Sequence, residues 1–407
     1  MNLDFTKWVA FGSDGASVMT GKVTGVSKRI QDHVGQHVIC IHCISHCVAL
    51  AGKSAVGTSV LFTIVDKLMK AIATDFKQSA KKTDELKLIQ DSFNDVKTLQ
   101  ILKFVEVRWI SRFATMSRII SQLEPLLQFY STQPGLIRFQ QLAVKGVIRF
   151  MHFVADALKE LQLLTKYSQS RSMTLDKLRK KYLKTVKNLK ALYTQLGVGE
   201  ERLIGCSAKE KAGLLKPGIG NTYTLYGHTL KNTVTDEDVE SARIAFLDAV
   251  ILDLENRFAS LTTSTDAFRV FNDMQNDDYD DDLKLLADHY GISFDQLQLE
   301  WENMQDVIIF DNLDTIESIT KYAQEHLSEY PLLSILLQTY IILPTTTSDV
   351  ERGFSKMNRI KTDDRNRLGD VLIHCMLFPC MVKISNGIGV LWAVTLRRNY
   401  GRKRSHN

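Results

Sequence analysis

Trp8-Val9-Ala10-Phe11-Gly12-Ser13-Asp14-Gly15 and, after a helical stretch, His37-Val38-Ile39-Cys40-Ile41 decide the fold class of this chain. Each is a short apolar run bounded by turn formers, the pattern of a buried strand. Between them, residues 18–34 carry helical spacing and Gly35 supplies a stop. A helix from near Ser45 follows the second run, then a third strand over 102–107 and a helix from about Ile110. Strands alternating with helices imply an α/β layer.

Further along, from about residue 125 to 325, helix follows helix. Phe153, Ala157, Leu161 and Leu164 keep helical spacing. So do Leu175, Leu178, Tyr182, Val186 and Leu189, on a helix whose other face carries Lys177, Arg179, Lys180, Lys184 and Lys187. Thr235 and Asp238 form a capping pattern ahead of Val239, Ala242, Phe246 and Val250. The Gly- and Thr-rich residues 205–235 read as a long loop, and the acidic residues 277–282 as a loop or frayed helix start. Tyr330-Pro331 opens a helix through Leu333, Leu336, Leu337 and Tyr340 that Pro344 ends, and Ser348 opens another. The expected organisation is two α/β-related pieces separated by an inserted helical domain.

A chain of 407 residues is long enough for two or three domains with a sizeable core. Its 44% hydrophobic and 24% charged residues are ordinary for a globular protein. No apolar run is long enough to suggest a membrane span, and the opening residues lack the basic-then-apolar pattern of a signal peptide. The net charge of +5 permits contact with nucleic acid without requiring it. The last residues, including Arg402, Lys403 and Arg404, form a basic tail that suits nuclear import, phosphate contact or simple solvation. With no secretory signal, the 6 cysteines are expected to be reduced thiols of a cytosolic or nuclear protein.

Four motifs carry potential chemistry. Residues 12–22 superficially suggest a phosphate loop, but Gly15 and Gly21 are too far apart and Val23 follows Lys22, so that reading fails. What remains is Asp14, a carboxylate at the end of a buried strand. It can ligate a metal, or, more simply, cap the next helix or close a turn. Cys40, His42, Cys43, His46 and Cys47 crowd one strand–helix junction, whereas structural zinc usually takes two separated ligand pairs. Buried thiols with a hydrogen-bonded histidine are therefore expected. Trp109 reads as core or as a stacking platform for an unpaired base. Ser348 and Glu351 form a capping box, which offers Glu351 a purely structural role.

Taken in order, Ser13-Asp14-Gly15-Ala16-Ser17-Val18-Met19-Thr20-Gly21, Ile41-His42-Cys43-Ile44-Ser45-His46-Cys47 and Arg108-Trp109-Ile110-Ser111-Arg112 resemble the catalytic core of hAT-superfamily transposases. Tyr330-Pro331-Leu332-Leu333, Ser348-Asp349-Val350-Glu351-Arg352-Gly353-Phe354-Ser355 and Arg365-Asn366-Arg367-Leu368 resemble the C-terminal dimerisation region of that family. The resemblance is to its domesticated members.

The resemblance implies an RNase H-like fold, incomplete here and interrupted by a large all-helical insertion: α/β plus α, predominantly helical overall. The implied domains are a partial core over 1–125, the insertion over 126–325, the core remainder with the dimerisation region over 326–390, and a basic tail over 391–407. In the family, three carboxylates hold two divalent metals. Asp14 matches the second and Glu351 the third, with Cys43, His46, Trp109 and Arg352 beside them. The first lies on a strand upstream of Asp14, and with no such strand in the sequence the chain is expected to be an N-terminally truncated, catalytically dead relative. No cofactor is then expected, Mg2+ or Mn2+ entering only if the full site exists. The expected function is that of a nuclear, transposase-derived protein acting by dimerisation, with itself or with a related hAT-derived protein, through Leu333, Leu336, Tyr340 and Phe354, residues that could equally be ordinary core. DNA is a candidate partner through the basic helix. Neither membrane nor small-molecule substrate is expected. The alternative is a fragment of an active transposase using two divalent metals.

Overall fold

The structure, a computed structural model, describes residues 8–93, 96–102, 109–133, 137–170, 173–206, 211–272, 279–348, 382–385 and 388–391. The described chain is predominantly helical.

Strand β1 (Ala10–Ser13) is wholly buried and pairs in parallel with β2 (Ile39–His42), Ala10 opposite Ile39 and Ser13 opposite His42. A parallel pair needs a crossover, supplied by α1 (Ser17–Thr20) and α2 (Val26–Val34). The single helix expected over 18–34 is thus two. Gly21 and Gly25 bracket the break, and each costs a helix about 1 kcal/mol relative to alanine. The stop at Gly35 is present, its N–H bonded to the Gln31 carbonyl.

Helices α3 (Ile44–Ser54), α4 (Val60–Gln78) and α5 (Ala80–Asp91) follow β2. The Ser59 hydroxyl accepts the Phe62 N–H at 3.0 Å and so starts α4. Then come α6 (Trp109–Ser121), α7 (Leu123–Ser131), α8 (Ile137–Leu142), α9 (Lys145–Ser168), α10 (Leu175–Ala191) and α11 (Val198–Ile204). The strand expected over 102–107 falls almost wholly outside the described residues.

The loop expected over 205–235 is instead a run of short strands: β3 (Gly205–Cys206), β4 (Lys211–Ala212), β5 (Lys216–Pro217), β6 (Thr222–Leu225) and β7 (His228–Lys231). Strands β6 and β7 form a hairpin around Tyr226 and Gly227, both with positive φ, at 50° and 77°. That two-residue turn matches the right-handed twist of its strands. Its signal was present in the alternation of 222–225 and 228–231.

Helix α12 (Asp236–Thr265) begins as the capping pattern predicts. Asp238 N–H donates to the Thr235 hydroxyl at 3.1 Å, and Thr235 N–H to the Asp238 carboxylate at 2.9 Å. A 3-10 turn over Asp266–Asn272 leads to α13 (Asp280–Tyr290), α14 (Phe294–Phe310), α15 (Ile316–Glu325) and α16 (Pro331–Ile342). Asp280, Asp281 and Asp282 fill the first turn of α13, where the positive end of the helix dipole favours them. The hairpin β8 (Val382–Ser385) and β9 (Ile388–Leu391) is the last described segment. No helix of the described residues is long and apolar enough to cross a membrane.

The chain forms two compact units, the first of residues 1–46, 168–178 and 260–407, the second of 47–167 and 179–259. The first is built around Trp301, Tyr340, Phe268 and Phe271, with Ala10, Ile39 and Ile41 of the parallel strands in the same core. In the second, Phe62 stacks on Phe246 at 5.8 Å between ring centres, and Phe153 meets Phe246 edge-on at 5.7 Å.

Candidate functional site

The parallel pair ends at Ser13 and His42, and two segments meet there. Cys43 N–H donates to the Ser13 carbonyl at 2.7 Å, and the His42 Nε2 lies 3.1 Å from the Asp14 carbonyl. The Asp14 carboxylate is exposed and accepts the Ala16 N–H at 3.2 Å. That is the local turn bond that a short acidic side chain makes in such a bend.

Gly15 sits at φ +69°, and a Cβ there would lie 2.2 Å from the His42 ring. The glycine is thus required twice, by the backbone and by the imidazole packed on it. Gly15→Ala is expected to cost the first unit about 1–3 kcal/mol and to displace His42. Denaturant unfolding together with the imidazole NMR shifts measures both, and an unchanged midpoint with unmoved shifts would show the ring is not there.

On the other side, the segment 345–348 docks on the start of α3. Ile44 N–H donates to the Thr345 carbonyl at 3.1 Å. The buried Cys43 sulfur accepts the Thr347 N–H at 3.3 Å and contacts the Thr347 and Thr346 hydroxyls at 3.2 and 3.6 Å. Ser45 Oγ is 3.2 Å from the Thr346 hydroxyl and 3.1 Å from that of Ser168. Cys43 therefore holds the strand–helix junction against the chain that leads to Ser348. His46, in the first turn of α3, lies beside His42 at the end of β2, their rings 5.6 Å apart. Cys40, Cys43 and Cys47 are free thiols.

Asp14, Cys43 and His46 are thus brought to one end of the parallel pair. Trp109 begins α6, and Glu351, Arg352 and Phe354 lie outside the described residues. Among the described residues, no group of three His, Cys, Asp or Glu side chains is placed to hold a metal. These residues do not by themselves fit a two-metal centre, and no metal step follows from them.

The residues expected to dimerise are placed differently. Leu333 is 0%, Leu336 2% and Tyr340 1% exposed, all inside the core of their own unit. In this chain they take the ordinary core positions that their apolar spacing equally allows, and Phe354 lies outside the described residues. An apolar stripe marks the buried side of a helix, and only the neighbouring helices determine whether that side is buried by the same chain. Helix α16 is locked there by a carboxylate from α14: Glu300 accepts the N–H groups of Leu332 and Leu333 at 2.9 and 2.8 Å. Both are helix-start donors without partners in their own helix.

The basic helix is present as α10, with Leu178, Val186 and Leu189 buried and Arg179, Lys180, Lys184 and Lys187 exposed. Lys177, at its start, pairs with Glu317 at 3.0 Å. This bond and that charge pull the Glu317 carboxyl below its usual range against the opposing effect of burial. Lys180, Lys184 and Lys187 recur at the spacing of one helix face and form a short cationic stripe.

Residues 294–378 match the hAT family C-terminal dimerisation region, a segment that begins with α14 and takes in α15, α16 and chain beyond them. The similarity to the hAT family therefore lies in the segment that carries Trp301 and Tyr340.

Proposed function

We propose that this is a nuclear protein derived from a hAT transposase, which pairs through its C-terminal region and holds DNA by its phosphates without cutting it. The match over 294–378 carries the reading, because its described part holds 13 of the 24 buried residues in the core around Trp301 and Tyr340. In this reading β1 and β2 belong to an RNase H-like core, with Asp14 at the strand end where such a core places a carboxylate. The turn bond from Ala16 gives Asp14 a structural task there. The exposed stripe of Lys180, Lys184 and Lys187 supplies the phosphate contacts.

Contacts of this kind release counterions, so duplex affinity falls steeply with salt and is indifferent to sequence. The full chain is expected to bind a fluorescent duplex in that manner. The double change Lys184→Glu/Lys187→Glu should flatten the slope of log affinity against log salt by about 2, since each phosphate contact contributes roughly 0.9. The same duplex, incubated with Mg2+ or Mn2+, should stay uncut. Nicking that Asp14→Ala abolishes would overturn the non-cutting role, and an unchanged salt slope would remove α10 from the DNA interface.

A further inference from the structure

The buried stripe of α16 leaves open which surface of the matched region meets a partner. Helix α14 offers one. Its inward side, with Leu297, Trp301, Met304 and Ile308, is spent on the chain's own core. Its outward side carries Leu299 at 59%, Ile309 at 62% and Phe310 at 81% exposure. Leu299, Asn303, Asp306 and Phe310 follow one another at helical spacing, so the face runs unbroken for roughly 16 Å at about 1.5 Å per residue. One exposed leucine is unremarkable, but a phenylalanine that leaves most of its ring in water on the same face as Leu299, with Ile309 exposed beside it, is not. Helix α16, by contrast, exposes Ile335 alone.

We infer that the outward face of α14, centred on Leu299, Ile309 and Phe310, is the surface by which two copies of this chain pair. The inference rests on the proposed pairing role, and the face lies inside the segment that matches a dimerisation region. A two-fold contact sets the same patch against itself. Here the patch is apolar at its two ends, with Asn303 and Asp306 between them, and the charges that α14 itself brings are acidic: Asp295, Glu302 and Asp306 lie outside, and the helix has neither lysine nor arginine. Self-pairing therefore brings carboxylates of like sign together around the apolar contacts. Salt screens such repulsion within about 10 Å at 0.1 M, so the dimer tightens as salt rises. A basic partner surface would show the reverse.

Sedimentation of the full chain tests this. The wild type is expected to reach twice the 46.2 kDa of one chain, and to do so at lower protein concentration in higher salt. Phe310→Glu and, separately, Leu299→Glu should weaken association at least about 100-fold, because both copies carry the change and each loses an apolar contact to a charge. At protein concentrations low enough that the wild type is also monomeric, their melting temperatures should match it, since neither side chain is in the core. Ile335→Glu on α16 should leave the dimer intact. A wild type that remains at single-chain mass overturns the pairing reading itself. A wild-type dimer that both α14 variants preserve, or that loosens with salt, leaves pairing standing and overturns this surface.

Discussion

Glu200→Ala is expected to lower the unfolding free energy of the second unit by about 3–5 kcal/mol, the cost of removing one partner from a buried ion pair. Glu200 is fully buried, 0% exposed. One carboxylate oxygen accepts Arg149 Nε at 2.8 Å and the other accepts the Arg243 guanidinium. Arg149 also donates to Asp236 at 2.9 Å and to Glu240 at 2.6 Å. Burial alone would lower the Arg149 pKa; its hydrogen bond to Glu200, the charge of that carboxylate, the bond to Asp236 and the charge of Glu240 outweigh it and raise it.

Arg243 is the more exposed to loss. Its side chain is 3% exposed, and its other acid, Glu240, lies 3.7 Å away. Without Glu200 it is a buried cation with a weak partner. Glu200→Gln keeps the shape and an acceptor, and should cost less than the alanine change. Adding Arg243→Met to Glu200→Gln should recover part of the loss, because a buried pair replaced by well-packed apolar groups is tolerated and Phe153 lies 4.8 Å from the guanidinium carbon. Guanidinium unfolding measures all three variants. A Glu200→Ala protein within about 1 kcal/mol of wild type would mean that neither arginine depends on this carboxylate.

The second large effect is expected at Tyr340. Its ring stacks on Phe268 at 5.9 Å between centres and meets Phe271 edge-on at 5.6 Å. Its hydroxyl oxygen accepts the Asp176 N–H at the start of α10, at 3.0 Å. Tyr340→Ala removes a fully buried aromatic and leaves a cavity, a cost of about 3–5 kcal/mol. Tyr340→Phe removes the acceptor alone and should cost about 1 kcal/mol. The thermal midpoint reads both, and the comparison with Phe310→Glu is the informative one. At concentrations where every chain is monomeric, a core variant still lowers the melting temperature, whereas an interface variant changes the association state and leaves that melt alone. A Tyr340→Ala chain that melts like wild type but sediments as a monomer would return Tyr340 to the interface and α14 to ordinary surface.

The elements that could be read from the sequence share one property: a handful of neighbouring residues decides them. Pro331 and Pro344 bound α16 because a proline ring suits the first turn of a helix and cannot continue one. Thr235 and Asp238 start α12 through bonds that span three residues. Leu175 to Leu189 make α10 through their spacing alone. Where the structure departs from the expected elements, the signal is still local, as with Gly21 and Gly25 inside the predicted helix and the Tyr226-Gly227 turn inside the predicted loop. The end of β1 was legible as a site because Asp14 follows a buried strand, and its turn bond reaches only to Ala16.

What sequence alone determined, then, is the order and type of most elements, the charge of each helix face and the resemblance that names the C-terminal region. Tertiary structure decided which apolar stripe meets the chain's own core and which meets water. Leu336 on α16 and Phe310 on α14 look alike as residues, and only the helices packed around them make one buried and the other exposed. It likewise decided that Cys43 would hold Thr347, 304 residues on, and that Glu200 would sit between Arg149 and Arg243. Hydrogen bonds and burial act over a few ångströms of space, and contacts between residues so distant along the chain leave no periodicity for a local reading to find.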